Sequence, residues 1–161
     1  MNCVSWYEGY AFCIWDGGVL PSDAEWEYAG AGGAEQREYP WGSTSPGTGS
    51  QYAVWGCQFP SGSPDCTGLA NIAPVGSATL GLGLWGQLDL VGEVAQWTMD
   101  WYAPTYADPC VDCAYLAQTP GRVVRGGDFG NGTEIIVPVT RYGTPPLARS
   151  SSIGLRCARS P

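Results

Sequence analysis

The sequence predicts one compact, loop-rich domain built from short helices and short strands. Glycine and proline number 24 and 13 of the 161 residues, a content that predicts much irregular backbone. Eight tryptophans and nine tyrosines supply far more apolar surface than a disordered chain carries. Neither an internal repeat nor an interdomain linker is visible, so residues 1–161 are interpreted as a single domain.

The first elements predicted are two helices that begin with the same capping signal. Ser5 is followed three residues later by Glu8, and Ser22 by Glu25, so that each pair can satisfy the free N–H groups of a helix start. Glycines follow both segments and end them. Helical spacing predicts the packed faces, which are Tyr7, Tyr10, Ala11 and Ile14 in the first helix and Trp26 and Ala29 in the second.

The next segments predict a long loop and then several strands. Residues 39–73 are rich in turn formers but punctuated by aromatic residues, which predicts an ordered loop. Residues 94–101 alternate between apolar and polar side chains, as a strand does. Further strands are predicted at residues 123–129, 134–142 and 153–158, with Pro138 placing the middle one at an edge or a bulge.

Charge and residue content exclude several classes of function. The net charge is −8 without a basic cluster, which argues against nucleic acid and anionic membranes as partners. No apolar run approaches the roughly 20 residues that a membrane span needs. The chain has no histidine, so it offers no imidazole base, no Ser–His triad and no two-histidine iron site. The carboxylates of Asp100, Asp128 and Glu134 are expected to be solvated surface groups rather than an acid–base pair.

Seven ordered blocks give the chain a resemblance to one family. They read VSWYEGYAFCIW, LPSDAEWEYAGAGG, YPWG, ANIAPVGS, LDLVGEVAQWTMDWY, RVVRGGDF and IGLRCAR. These blocks resemble the formylglycine-generating enzymes, or sulfatase-modifying factors, from Cys3 to Arg159. The resemblance implies an α+β, C-type-lectin-like fold with little regular secondary structure. Because family members carry a sizeable segment before the first block, residues 1–161 are expected to correspond to the C-terminal portion of the family domain.

The resemblance also implies where a copper site belongs. Catalytic members place two cysteines just after an RGGS strand, where they bind copper as thiolates and oxidise a sulfatase cysteine to formylglycine. Here Asn131 occupies the first position, and the second falls near Ile135 or Ile136. No cysteine lies between Cys113 and Cys157, so copper is not expected.

The cysteines predict disulfides and therefore an extracytoplasmic or secreted protein, although residues 1–6 show no signal peptide. The resemblance pairs Cys13 with Cys157, a link that contributes on the order of 4–5 kcal/mol in the chain-entropy model; two buried free thiols are the alternative. Local disulfides are predicted for the remaining pairs, over redox or zinc sites, and Cys3 is left over. Those pairs are Cys57–Cys66 and Cys110–Cys113.

A calcium loop is a further implication of the resemblance. Carried over position by position, Asp89 and Gln96 would offer side-chain oxygens, and Gly92 and Val94 their carbonyls. Calcium takes six to eight oxygen ligands, and Gln96 replaces the family's glutamate, which removes one negative charge. A hydrogen-bonded turn without an ion is the alternative.

These observations together predict a non-catalytic family member that binds a peptide, protein or glycan. The aromatic residues of its loops are expected to supply a groove, although at least half of them are expected to pack in the core. An oxidase of the formylglycine type with an atypical site, and a remnant without independent activity, are the alternatives. The aromatic residues concerned are Trp41, Trp55, Trp85, Trp101, Tyr102 and Tyr106.

Overall fold

The computed structural model describes residues 1–60, 66, 69–106, 108 and 113–159. Two α-helices, α1 (Trp6–Trp15) and α2 (Asp23–Gly30), precede a small mixed sheet, and most of the remaining described chain is loops and turns. Two single-turn 3₁₀ helices lie at Gly33–Glu35 and Leu69–Asn71. The predicted loop-rich α+β class is confirmed.

The sheet has four strands in the order β3–β2–β1–β4. The central strand β1 pairs antiparallel with β2 and parallel with β4, and β3 pairs antiparallel with β2 on the outer edge. Both faces of β1 are buried. The alternation of apolar and polar side chains along β1 therefore separates two packed faces, not a core face and a solvent face. The strands are β1 (Ala95–Trp101), β2 (Arg122–Arg125), β3 (Arg141–Thr144) and β4 (Ile153–Leu155).

Both predicted capping boxes are present and begin the helices where expected. The Ser5 side chain accepts from the Glu8 N–H and the Glu8 carboxylate accepts from the Ser5 N–H, and Ser22 and Glu25 repeat the arrangement in α2. The predicted packed face of α1 is wrong except for Tyr10, which packs against the core, because Tyr7, Ala11 and Ile14 are exposed. The residues that α1 buries are Trp6, Gly9 and Cys13.

The strand predicted at residues 134–142 is also wrong over most of its length. Residues 133–139 form turns and bends, and β3 begins only at Arg141. The Pro138 carbonyl accepts a hydrogen bond from the buried Arg125 side chain, at 2.6 Å, and this contact directs the segment toward α2 instead of into the sheet. The strands predicted at residues 123–129 and 153–158 are present but shorter, and two glycines with positive φ, Gly126 and Gly127, end β2.

The core lies between the helices and the sheet. One cluster packs α1 on β1, with Trp6, Trp97 and Val124 among its buried members. A second cluster joins α2 to the loop segments and contains Trp26, Val91 and Ile136. No helix in the described ranges is long and apolar enough to cross a membrane.

Candidate functional site

Arg125, at the end of β2, organises the region between α2 and the loop that follows β1. Its side chain is fully buried and forms an ion pair with Asp23 at the start of α2. Its Nη2 donates to Glu27 Oε2 at 2.7 Å and to the Tyr106 hydroxyl at 3.0 Å. One guanidinium therefore fixes α2 and this loop relative to the sheet.

Asp100, which was expected at the surface, is instead buried next to this network. Its carboxylate accepts backbone N–H bonds from Asp23 at 2.7 Å and from Tyr115 at 2.6 Å. Burial raises the pKa of the Asp100 carboxyl despite these two bonds, which lower it. Both oxygens are engaged, so Asp100 fastens the loop to α2 and does not present a free carboxylate.

Three adjoining depressions follow the β1–β2 loop and form a trough across this face. The largest, of about 650 Å³, is lined by Tyr102, Tyr115, Gly143 and prolines. It shares Ala103 and Tyr115 with a 40 Å³ cavity. That cavity shares Ala24 and Tyr106 with a third depression of about 370 Å³, whose remaining lining residues are Glu27, Tyr28 and Gln36.

The structure brings only part of the predicted aromatic set to the trough. Trp101, Tyr102 and Tyr106 line it. Trp41 stacks on Tyr39 in the long loop, and Trp55 packs with the cluster around Ile136. Trp85 is half exposed and stacks on Tyr28, which is itself a trough residue that the sequence analysis missed.

The residues predicted to occupy the family's copper-binding positions lie around Gly127. A methyl group built on Gly127 would lie 3.1 Å from Asn131 Oδ1, 3.1 Å from Ile135 Cγ2 and 3.2 Å from Ile136 Cγ2. Asn131 Oδ1 accepts the Asp128 N–H at 2.8 Å, and Ile136 is fully buried. An amide and two aliphatic side chains offer no thiolate, so these residues do not fit Cu(I).

The residues predicted for a calcium loop hydrogen-bond to protein groups instead. Asp89 Oδ2 accepts the Gly76 N–H at 2.7 Å. Gln96 Oε1 accepts from Trp26 Nε1 at 2.9 Å and from Arg156 Nε at 3.2 Å.

The Gln96 amide also closes this loop, since its Nε2 donates to the Asp89 carbonyl at 2.7 Å. Gly92 and Val94 lie in the same segment, and Gly92 donates its N–H to the Gly126 carbonyl at 2.8 Å. The Arg156 guanidinium brings a positive charge to Gln96 Oε1, so these residues do not fit a calcium ion bound through Gln96. Within the described ranges, no group of three or more acidic or cysteine side chains is placed to hold a metal ion.

Two disulfides join pairs named in the sequence analysis. Cys13 and Cys157 are bonded with a Cα–Cα distance of 5.4 Å, and Cys57 and Cys66 with 5.2 Å. Cys113 is disulfide-bonded, whereas Cys110 lies outside the described residues.

The exposed Cys3 is the leftover cysteine and forms no disulfide. Cys66 lies beside the turn that carries Asn131, since its Sγ would be 3.4 Å from a methyl group on Gly130.

A small mixed sheet, two short capped helices and long ordered loops define a domain of the sulfatase-modifying-factor type. The chain belongs to that family: its sequence matches the family described as "Sulfatase-modifying factor enzyme 1-like domain" over residues 1–161.

Curated relatives agree with the family assignment. The chain is 35% identical to a formylglycine-generating enzyme of Streptomyces coelicolor, a match covering 96% of this chain and 51% of that protein. It is 32% identical to the mouse protein named "Inactive C-alpha-formylglycine-generating enzyme 2", over 98% of this chain and 48% of that protein. The chain thus spans about half the length of the curated relatives it matches.

A solved structure supports the fold. PvdO from Pseudomonas aeruginosa superimposes with a TM-score of 0.77 at 21% identity, over 96% of this chain and 59% of that one. At this identity the similarity concerns the fold alone.

Arg125 and its acidic partners are the residues of this region that sequence reasoning missed. Strand β2 reads RVVR, and its two arginines, Arg122 and Arg125, give no pattern of their own. The available signal was the presence of charged residues beside two valines in a predicted strand, RVVRGG, because a charge in a buried strand requires a partner.

Proposed function

We propose that this protein is a non-catalytic member of the formylglycine-generating enzyme family that serves as an extracytoplasmic binding or scaffolding module. The observation that carries the proposal is the environment of Gly127, where Asn131, Ile135 and Ile136 stand in place of a cysteine pair. Copper-thiolate chemistry needs sulfur at that place, and these side chains have none.

Three further findings support this proposal. A relative of 32% identity carries the word "inactive" in its name, so loss of activity has a precedent among similar chains. The trough beside α2 offers a concave surface with aromatic walls, which is typical of binding sites. The Cys13–Cys157 and Cys57–Cys66 disulfides favour an oxidising compartment.

One observation favours the alternative, a formylglycine-type oxidase with an atypical site. The Cys57–Cys66 disulfide lies next to Gly130 and therefore next to the turn that carries Asn131. On reduction, this pair would place two thiols close to the family's copper position. The alternative is less well supported, because the two sulfurs are bonded to each other and so are not available as thiolate ligands.

The decisive experiment is an aldehyde assay on the full chain. We expect no aldehyde product above background when the protein, pretreated with a reductant, is incubated with Cu(I), oxygen and a Cys-x-Pro-x-Arg peptide. The Streptomyces coelicolor relative under the same conditions is the positive control. Formation of formylglycine by this chain would overturn the proposal, and loss of that product in Cys57→Ala/Cys66→Ala would assign it to the atypical site.

A further inference from the structure

The 370 Å³ end of the trough combines features of a carbohydrate-binding site. Two aromatic rings, those of Tyr28 and Tyr106, line it together with Ala24, Glu27 and Gln36. We propose that this pocket, the Tyr28 pocket, binds one pyranose residue of a neutral glycan. The inference rests on the proposed function, in which the protein binds a ligand and does not catalyse a reaction.

The Tyr28 ring is exposed yet held in one place. It is 61% exposed, and it stacks on Trp85 with ring centroids 5.2 Å apart and an interplanar angle of 14°. Gly33 lies against its phenol end, where a methyl group would come within 2.9 Å of Tyr28 Cζ. A fixed aromatic ring open to solvent is a platform on which the apolar face of a sugar can stack without an ordering cost.

The second ring that lines the pocket, that of Tyr106, is fixed by hydrogen bonds. The ring of Tyr106 is 56% exposed, while its hydroxyl donates to Glu27 Oε2 at 3.0 Å and accepts from Arg125 Nη2 at 3.0 Å. The pocket therefore has two aromatic rings at its boundary whose positions are set by the protein before a ligand arrives.

Gln36 supplies polar groups at the edge of the pocket. Its backbone has φ +49°, in the left-handed region that non-glycine residues seldom adopt. Its Nε2 donates to the Gly33 carbonyl at 2.8 Å, which orients the amide. One N–H is used in this way, and an amide has a second N–H and a carbonyl oxygen to offer to sugar hydroxyls. Strained residues of this kind concentrate at functional sites.

The charges around the Tyr28 pocket select a neutral ligand. The Glu27 carboxylate is paired with the Arg125 guanidinium at 2.7 Å, and Asp23, the other partner of Arg125, lies 3.5 Å from Arg141 Nη1. Two carboxylates thus face two guanidiniums, and the wall contributes directed hydrogen bonds with little net charge. An ammonium or a phosphate group would find no unpaired charge of opposite sign among these lining residues. A pyranose, with an apolar ring face and hydroxyl groups around its edge, matches this combination.

The shape of the trough indicates a chain of sugars rather than a single one. The Tyr28 pocket shares Tyr106 with the 40 Å³ cavity, which in turn shares Tyr115 with the 650 Å³ groove. The 40 Å³ cavity is too small to hold a sugar ring, so further units of an oligosaccharide would lie over its lining residues to reach the 650 Å³ groove. A peptide added to a sheet edge would require a strand, and residues of α2 and of loops line the Tyr28 pocket instead.

Saturation-transfer NMR on the full chain tests this inference with cellotetraose, mannotetraose and tetra-N-acetylchitotetraose. We expect at least one to bind, with Tyr28→Ala and Gln36→Ala each weakening binding tenfold or more. Tyr28→Phe, which keeps the ring, should retain binding. Trp15→Ala, which removes a more exposed ring from α1, should leave binding unchanged.

Three outcomes would overturn the inference. They are no binding of any of the three oligosaccharides, wild-type affinity in Tyr28→Ala, or binding of a proline-rich peptide at the Tyr28 pocket while the sugars stay unbound. The aldehyde assay separates these results from the proposed function. If no glycan binds and no aldehyde forms, only the glycan inference fails. If aldehyde forms, the proposed function fails, and the glycan inference loses its basis.

Discussion

At the scale of single residues, Arg125 shows how a buried charge becomes an organising centre. Burying a guanidinium is costly unless each donor finds an acceptor. Here Asp23, Glu27 and the Pro138 carbonyl all accept from it, and these acceptors come from α2 and from the segment before β3. In this loop-rich domain, Arg125 therefore holds α2 and the segment before β3 against the sheet, a role that longer strands or helices fill in a more regular domain.

Replacing Arg125 by Met should destabilise the protein strongly. The variant leaves the Asp23 carboxylate buried and without its closest partner, a change that typically costs about 3–5 kcal/mol. Urea unfolding at neutral pH measures the difference. Arg159→Ala is the matched control, because Arg159 pairs with Asp16 at an exposed site, where such pairs contribute about 1 kcal/mol or less. Equal losses in the two variants would contradict the role given to Arg125.

At the scale of elements, local signals predicted where helices begin, and long-range packing decided the rest. The Ser5–Glu8 and Ser22–Glu25 boxes lie within four residues of sequence, so their pattern is complete in the sequence itself. The packed face of α1 depends instead on Gly9, where a methyl group would lie 3.3 Å from Leu155 Cδ2 on β4.

Contacts of this kind explain the predictions that were wrong. Helical spacing alone placed Tyr7 and Ile14 on the packed face of α1. The helix can approach β4 closely only on the side of Gly9, which has no side chain, so Tyr7 and Ile14 remain exposed. The strand predicted at residues 134–142 was wrong for a related reason. The position of this segment depends on the hydrogen bond from the Arg125 side chain in β2 to the Pro138 carbonyl, a contact between two different parts of the fold. The positions expected for the family's cysteine pair were predicted from the resemblance, whereas the trough depends on tertiary contacts that no local pattern contains.

The cap of α1 should give stability a distinct acid dependence. Hydrogen bonds from Arg149 and then from Ser5 lower the pKa of Glu8 from 4.5 to about 2. A carboxyl whose folded pKa is depressed contributes stability that is present above the unfolded pKa and lost as the pH falls toward the folded one. The stabilising effect of Glu8 should therefore disappear between about pH 4.5 and about pH 2.

Glu8→Gln measures this effect, because the amide cannot titrate. Urea unfolding of the wild type and the variant should differ at pH 6 and converge near pH 2. Arg149→Met should show the same pH dependence as Glu8→Gln. It removes the hydrogen bond that lowers the pKa of Glu8 most, which joins Arg149 Nη2 and Glu8 Oε1 at 2.6 Å. A difference between wild type and variant that stays constant over this pH range would rule out the Glu8–Arg149 contact as the source.

At the scale of the whole molecule, the fold is closed by joining the two ends of the described chain. Val19 pairs with Ala158, and Asn2 pairs with Gly154 on β4. The Cys13–Cys157 disulfide lies between these contacts and ties α1 to the segment after β4. The sheet is small and the loops are long, so regular secondary structure contributes little to stability. This disulfide stabilises the fold instead, because it lowers the conformational entropy of the unfolded chain.

Removing the two described disulfides one at a time tests this account of the whole molecule. The Cys13–Cys157 link closes a separation of 144 residues and the Cys57–Cys66 link one of 9, so the chain-entropy relation predicts losses on the order of 5 and 3 kcal/mol. Cys13→Ala/Cys157→Ala should therefore unfold at a lower urea concentration than Cys57→Ala/Cys66→Ala, as measured by intrinsic tryptophan fluorescence. Cys13 is also fully buried, so its truncation removes packing in addition to the link. If the short-loop variant were the less stable of the two, closure of the chain ends would not be what stabilises this fold.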